Sequence, residues 1–335
     1  MKFKNIFLVL ALSLAFTACN NSKDMANNDK KVTSDENATK VNEKEEKSTI
    51  YASFYPIYNL TKQIAGDKIE VKSFTNLKTE SHDWEPSAKD MAEVSKAKLM
   101  FINGAGMEEW EDSLKNSTDI ELVNTSKDID LIKASEEDHH DHDEDHDHED
   151  DNEDEHHHHH GEYDPHLWLS PKNAISQAKV IAEKLSEIDP ANKDYYMDNF
   201  KKIEEELKAL IAEYKEKFDG CENNNFLVNH KAFSYLAKDF SLNQIALTSL
   251  TSAEETDAKT LKDASLKAKE LNIKTIFYEM GSSDKNAKTL ADEIGADTKP
   301  LNTLELATDE NIKNDTTYQE LVRENLEAIY QSLVK

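Results

Sequence analysis

The sequence predicts an α/β fold: two lobes, each with a mostly parallel sheet flanked by helices, joined by one long rigid helix. Three observations lead there. From Ile50 onward short apolar runs recur between amphipathic stretches, the alternation that builds βαβ units and parallel sheet. The run 191–218 contains neither Gly nor Pro, and Tyr196, Phe200, Ile203, Leu207, Leu210, Ile211, Tyr214 and Phe218 fall at three- and four-residue steps. That is one helix of about 40 Å at 1.5 Å per residue. Finally, about 260 residues have the composition of a folded body, room for two domains of ordinary size.

In chain order, 50–54 reads as a strand and 57–65 as a helix stopped by Gly66. A second strand is expected over 69–74, then a helix over 87–96 begun by Glu85-Pro86. Strands follow at 99–102 and 120–123. Pro171 at a helix start leads the helix 173–188. Asp189-Pro190 and Gly220 bracket the long helix. The second half repeats the rhythm: strand 226–228, helix 231–239, strand 244–247, helix 259–271, strand 275–278, helix 285–294 ended by Gly295, strand 300–304 and closing helix 317–333. The expected division is an N-terminal lobe over 48–190, the linking helix 191–218 and a C-terminal lobe over 219–335.

Ahead of the body, 1–18 reads as a signal peptide. Lys2 and Lys4 precede an apolar stretch over 6–16 that is too short to span a membrane, and Thr17-Ala18-Cys19 offers a small-residue cleavage site. The cysteine after Ala18 resembles the bacterial lipobox, which makes Cys19 the expected lipidation site although Phe16 stands where Leu is usual. Residues 19–47 are polar and charged, the composition of a disordered tether. Of the two cysteines, only Cys221 would then remain besides Cys19, so no disulfide is expected within the body.

The most unusual stretch lies in 135–162. Between 136 and 160 it holds ten histidines (His139, His140, His142, His146, His148, His156, His157, His158, His159 and His160) and fourteen carboxylates. Imidazole is the commonest ligand for zinc-like cations, and packed carboxylates attract cations generally. With almost no apolar content the stretch is expected to be a disordered, metal-attracting loop. It also carries half of the net charge of −28, a balance that excludes nucleic acid as a partner.

Outside that stretch there are three histidines, His82, His166 and His230. Each falls where a strand gives way to a turn or helix, the edge at which α/β folds bind ligands. Three neutral imidazoles and one carboxylate suit tetrahedral zinc. Glu305, just after the last expected strand, leads as fourth ligand, with Glu279 at the end of strand 275–278 as the alternative. Asp164 and Asp83 are candidate acceptors for imidazole N–H groups.

The motifs Ser81-His82-Asp83-Trp84-Glu85-Pro86-Ser87, Asp164-Pro165-His166-Leu167-Trp168-Leu169, Asn229-His230-Lys231-Ala232-Phe233 and Phe277-Tyr278-Glu279 resemble the metal-binding solute-binding lipoproteins of ABC importers. The likeness is to the zinc branch (ZnuA/AdcA type) and covers about residues 48–335. It implies a non-enzymatic, extracytoplasmic zinc receptor, monomeric and lipid-anchored, with Zn2+ as the transported ligand. The implied partners are an ABC permease and its cytoplasmic ATPase. His82, His166 and His230 match the family's three histidine ligands, and a His/Asp-rich loop before the second is common in the zinc branch. Manganese importers of the family place a carboxylate where this chain has His230, so manganese is the alternative metal. The family's usual Asp in a Leu-Asp-Pro-type stretch is replaced here by Thr303-Leu304-Glu305-Leu306.

Two other functions remain open on the sequence. A metal-storing or adhesive surface lipoprotein predicts many weak sites and no tight one. A secreted zinc hydrolase needs an open water position and a general base, but neither a His-Glu-x-x-His run nor a Gly-x-Ser-x-Gly elbow is present.

Overall fold

A computed structural model describes residues 49–78, 80–82, 84–134, 161–248 and 258–334. The expected signal peptide, Cys19, the tether, Asp83 and the ten histidines over 139–160 lie outside the described residues. Among those described, no helix is long and apolar enough to cross a membrane.

The described residues form one compact unit containing two four-stranded sheets. The first is built from β1 (Thr49–Ala52), α1 (Tyr55–Ala65), β2 (Glu70–Ser73), α2 (Ala88–Val94), β3 (Leu99–Ile102), α3 (Glu111–Ser117) and β4 (Glu121–Asn124). Its strand order is β2-β1-β3-β4, all parallel. After α4 (Pro171–Ile188) and α5 (Lys193–Asp219), the second sheet collects β5 (Asn225–His230), α6 (Ser234–Phe240), β6 (Asn243–Thr248), α7 (Ala258–Glu270), β7 (Thr275–Glu279), α8 (Lys285–Ile294) and β8 (Asp297–Leu301). Its order, β6-β5-β7-β8 and again parallel, repeats the topology of the first. Two further helices, α9 (Asp309–Asn314) and α10 (Tyr318–Leu333), close the chain.

Composition explains which strands are central. Leu99-Met100-Phe101-Ile102 in β3 is buried throughout, as an inner strand covered on both faces requires. Edge strands β2 and β4 carry the exposed Glu70 and Glu121, which discourage pairing with another chain. Helix α5 buries Tyr196, Phe200, Ile203, Leu207, Leu210, Tyr214 and Phe218. It packs on α1 and α4 from the first half and on α6 and α10 from the second, so the predicted spine is shared by both lobes.

The structure moves several predicted boundaries. Helix α5 starts at Lys193, because Pro190 opens a short 3-10 turn (Pro190–Asn192) whose entry is fixed by Asp189. The Asp189 carboxylate accepts from Asn192 and from the Tyr196 hydroxyl at 2.8 and 2.6 Å. His230 is the last residue of β5 rather than the residue after the strand. The last strand ends at Leu301, short of the expected 304, because Leu304 has φ 60° and extended chain cannot pass through it. Helices α3 and α9 were not expected. Each is under two turns and has no apolar period to read, and α9 is defined by a capping box between Thr308 and Asn311.

The end of β3 is locked by buried polar groups. Glu108 accepts the N–H groups of Asn103 and Gly104 at 2.7 and 2.9 Å, and burial pushes its carboxyl up to about 7. Asn103 donates to the carbonyl of Pro165 at 3.0 Å and accepts from Gln177 of α4 at 3.1 Å, which ties β3 to the residue before His166. Gly104 has φ 81°, and a Cβ there would lie 2.3 Å from the Asn124 side chain. Gly104→Ala is therefore expected to lower stability by at least about 1–2 kcal/mol from the left-handed backbone alone, read as a lower urea midpoint.

Candidate metal centre

The three histidines arrive on separate elements at the carboxyl edges of the sheets. His82 stands in the loop after β2, anchored two residues later by Trp84, whose ring meets Phe74 edge-to-face at 5.0 Å. His166 precedes a 3-10 turn (Leu167–Leu169) at the entry to α4. Upstream of it, Asp164 N–H donates to the Ile132 carbonyl at 2.8 Å. The Tyr235 hydroxyl of α6 donates to the Asp164 carbonyl at 2.8 Å and accepts the Ile132 N–H at 3.0 Å. His230 ends β5, and Glu279 ends the neighbouring β7. Strands β6 and β8 lie on opposite sides of that pair, so the crevice between β5 and β7 is the topological switch point where open α/β sheets bind ligands.

One candidate ligand nitrogen from each of His82, His166 and His230 lies within 4.8 Å of the other two, the one such cluster among the described residues. The Nε2 atoms of His82 and His166 are 3.0 Å apart. His166 is fully buried, whereas the His82 side chain keeps 15 % exposure and is the solvent-facing member. Burial, followed by the neighbouring His166 and His230, holds His82 well below the ordinary imidazole range. Burial also lowers His166, against the opposing pull of Asp164. These two imidazoles are thereby kept neutral, the form that ligates metal.

Two of the imidazoles have carboxylate partners behind them. Asp164 Oδ1 lies 2.9 Å from His166 Nδ1 and also accepts the His166 backbone N–H at 2.9 Å. Glu279 Oε2 lies 3.3 Å from His230 Nδ1, while its Oε1 accepts the Thr303 hydroxyl at 2.7 Å. A carboxylate can only accept, so Nδ1 of each ring carries the proton and Nε2 carries the lone pair that a metal would take. Burial works to raise Glu279, but His230 and Thr303 outweigh it and hold the group below its ordinary value.

Glu305 is placed differently. It is fully buried, its Oε2 accepts the Ser81 N–H at 3.2 Å, and its Oε1 has no hydrogen-bond partner among the described residues. That oxygen lies 3.7 Å from His82 Nε2. Burial, then the charge of Glu279, pushes its carboxyl up to about 8. An orphaned oxygen on a buried carboxyl beside His82, itself one of three clustered imidazoles, is what a cation would satisfy. The loop holding it is strained. Asn302 accepts the Leu304 N–H at 2.8 Å, closing an Asx turn around the left-handed Leu304. Asn325 of α10 pins Asn302 from both sides.

The structure thus brings His82, His166 and His230 together as one cluster, sets Glu305 beside His82 without including it in that cluster, and puts Glu279 and Asp164 behind imidazoles. Trp168 and Thr303 stood within the motifs read from the sequence but had no role assigned there, and Tyr235 was missed. Asn302-Thr303 offered a turn signal, but nothing local marks a tyrosine one helix away.

Paired parallel α/β lobes on a single helical spine, with imidazoles from both lobes converging at the strand ends, define the class of metal-binding solute-binding proteins. The chain belongs to the ZnuA family, described as zinc-uptake complex component A, periplasmic, whose model matches residues 50–332. It is 37 % identical over 336 residues to the high-affinity zinc uptake system protein ZnuA of Bacillus subtilis, covering 99 % of this chain and 98 % of that protein. Among solved structures it resembles the laminin-binding protein Lmb of Streptococcus agalactiae, described as bifunctional with adhesin and metal transporting activity. That match has TM-score 0.73 and 32 % identity, over 85 % of this chain and 99 % of the other. It also resembles Zn(II)-bound AdcA of Streptococcus pneumoniae, with TM-score 0.71 and 30 % identity over 86 % of this chain. There the match spans 58 % of the other chain.

Proposed function

We propose that this chain is an extracytoplasmic receptor that captures Zn2+ with His82, His166, His230 and Glu305 and delivers it to an ABC permease for import. The observation that carries this reading is the convergence of three imidazoles with the unmatched Glu305 oxygen beside one of them, His82. Three nitrogens and one oxygen favour zinc over manganese, which prefers oxygen-rich sites. The relatives point the same way, being zinc uptake and zinc-binding proteins rather than enzymes. A lipid anchor at Cys19, a cytoplasmic ATPase partner and a monomeric state complete the proposal, as does the division into lobes at 190 and 219. Adhesion, a property ascribed to Lmb, is compatible with transport and is supported here by that likeness alone.

In this reading the acidic, His-rich stretch is an accessory collector. Its base is joined to the site: Lys133 and Tyr163 form a bridge, and Ala134 N–H donates to the Glu162 carbonyl at 3.0 Å, a few residues before His166. Titration with zinc and manganese, with and without residues 136–160, tests the division of labour. One tight zinc site is expected in both forms, with additional weak sites confined to the full chain. Absence of a tight site in the shortened form would transfer the chemistry to the stretch and favour storage.

A further inference from the structure

Thr303 is linked through its neighbours to three of the four proposed ligands. The Thr303 carbonyl accepts the indole N–H of Trp168 at 2.7 Å, two residues beyond His166. Its hydroxyl donates to Glu279 Oε1 at 2.7 Å, and the other Glu279 oxygen faces His230 Nδ1 at 3.3 Å. Two residues further along the same turn stands Glu305. Thr303 itself is buried, at 2 % exposure, so water does not compete for its hydroxyl.

Glu279 is the residue whose role this arrangement decides. It is a carboxylate close enough to the centre to raise Glu305 and to act on His166. It is therefore a potential metal ligand in its own right. Both of its oxygens are engaged elsewhere, one by Thr303 and one by His230. A carboxylate used as an acceptor fixes the tautomer of His230 and presents Nε2 to the metal. The same carboxylate released to the metal would add a hard oxygen donor and leave His230 unoriented, a set better suited to manganese.

We infer that Thr303 is a specificity-determining positioning residue: its hydroxyl holds Glu279 behind His230 and out of the ligand set, keeping the centre nitrogen-rich and selective for zinc. This rests on the zinc-receptor reading and extends it. Thr303→Val keeps the shape and removes the hydroxyl; Thr303→Ser keeps the hydroxyl.

The experiment is competition titration of the full chain and its variants with zinc and manganese, together with the visible spectrum of the cobalt-loaded protein. Thr303→Val should lower zinc affinity by about 10- to 100-fold, the usual cost of losing an outer partner of a metal ligand. Manganese affinity should hold or rise, so the preference for zinc falls, and the cobalt bands should weaken as coordination number increases. Thr303→Ser should behave as the parent, and Glu279→Gln placed in the valine background should restore the preference. If the valine variant does not fold, Thr303→Ala makes the same comparison. A parallel loss of both metals, or an unchanged preference and cobalt spectrum, overturns the inference. Failure of the underlying reading looks different: the parent protein would itself lack a tight zinc site abolished by His230→Ala.

Discussion

His166→Ala is expected to abolish tight zinc binding, lowering affinity by about 100- to 1,000-fold. Tight protein zinc sites have apparent binding free energies of roughly 10–16 kcal/mol, so each of four donors accounts for about 2.5–4 kcal/mol, and about 1.4 kcal/mol is tenfold. Competition against a chelator of known affinity measures the loss. The apo fold should suffer too. His166 is fully buried, and its ring and backbone N–H both serve Asp164 Oδ1, so removing the ring leaves a buried carboxylate with one hydrogen bond fewer and costs roughly 1–3 kcal/mol. His82→Ala separates ligation from stability. That ring is partly exposed and has no carboxylate behind it among the described residues, so zinc affinity should fall as far while the apo unfolding temperature moves little. A His82→Ala variant that still binds zinc tightly would remove this residue from the ligand set.

The second large effect concerns protons. In the metal-free protein Glu305 titrates near 8, raised by burial first and by Glu279 second. A metal takes the carboxylate, so below that pH each zinc captured displaces a proton from Glu305. Apparent affinity should then rise with pH, by up to about tenfold per unit, and level off above about 8. His82 and His166 are held below their ordinary values, so they contribute little to the release near neutrality. Calorimetry in two buffers of different ionisation enthalpy counts the protons directly. Glu305→Gln should flatten the slope and bind zinc about 100-fold more weakly at pH 8, with the gap from the parent narrowing as pH falls. A slope that persists in the glutamine variant would place the titrating group elsewhere. The sign for stability is opposite. Between the unfolded value of 4.5 and the folded value of about 8, the folded metal-free chain binds the extra proton. Stability of the apo protein attributable to this group is therefore greatest below 4.5 and is lost as pH rises towards 8. Zinc removes that dependence by accepting the ionised form.

Much of this architecture follows from local pattern. The uninterrupted apolar stripe from Tyr196 to Phe218 specifies a long helix wherever it is placed, because its period is intrinsic to the chain. The fully apolar Leu99-Met100-Phe101-Ile102 must be an inner strand. The scarcity of histidines outside the acidic stretch made His82, His166 and His230 candidates before any coordinates. Boundaries were less legible where a side chain reaches back to the backbone. Leu304 reads as strand by composition, yet Asn302 folds it into a left-handed turn, an interaction whose geometry is supported from α10 by Asn325.

By itself, then, the sequence determined the α/β alternation, the spine, and the residue types of a nitrogen-rich centre, because periodicity and ligand chemistry are written in single residues and short motifs. What only tertiary structure decided is which carboxylate does what. In the sequence Glu305 and Glu279 are both acids near strand ends, the first the leading fourth ligand and the second its alternative. They differ because folding gives Glu279 a hydroxyl donor from Thr303 and an imidazole from His230, while it buries Glu305 with one oxygen unmatched. That difference comes from residues far apart in the chain, and hydrogen bonds of that range leave no mark on local composition.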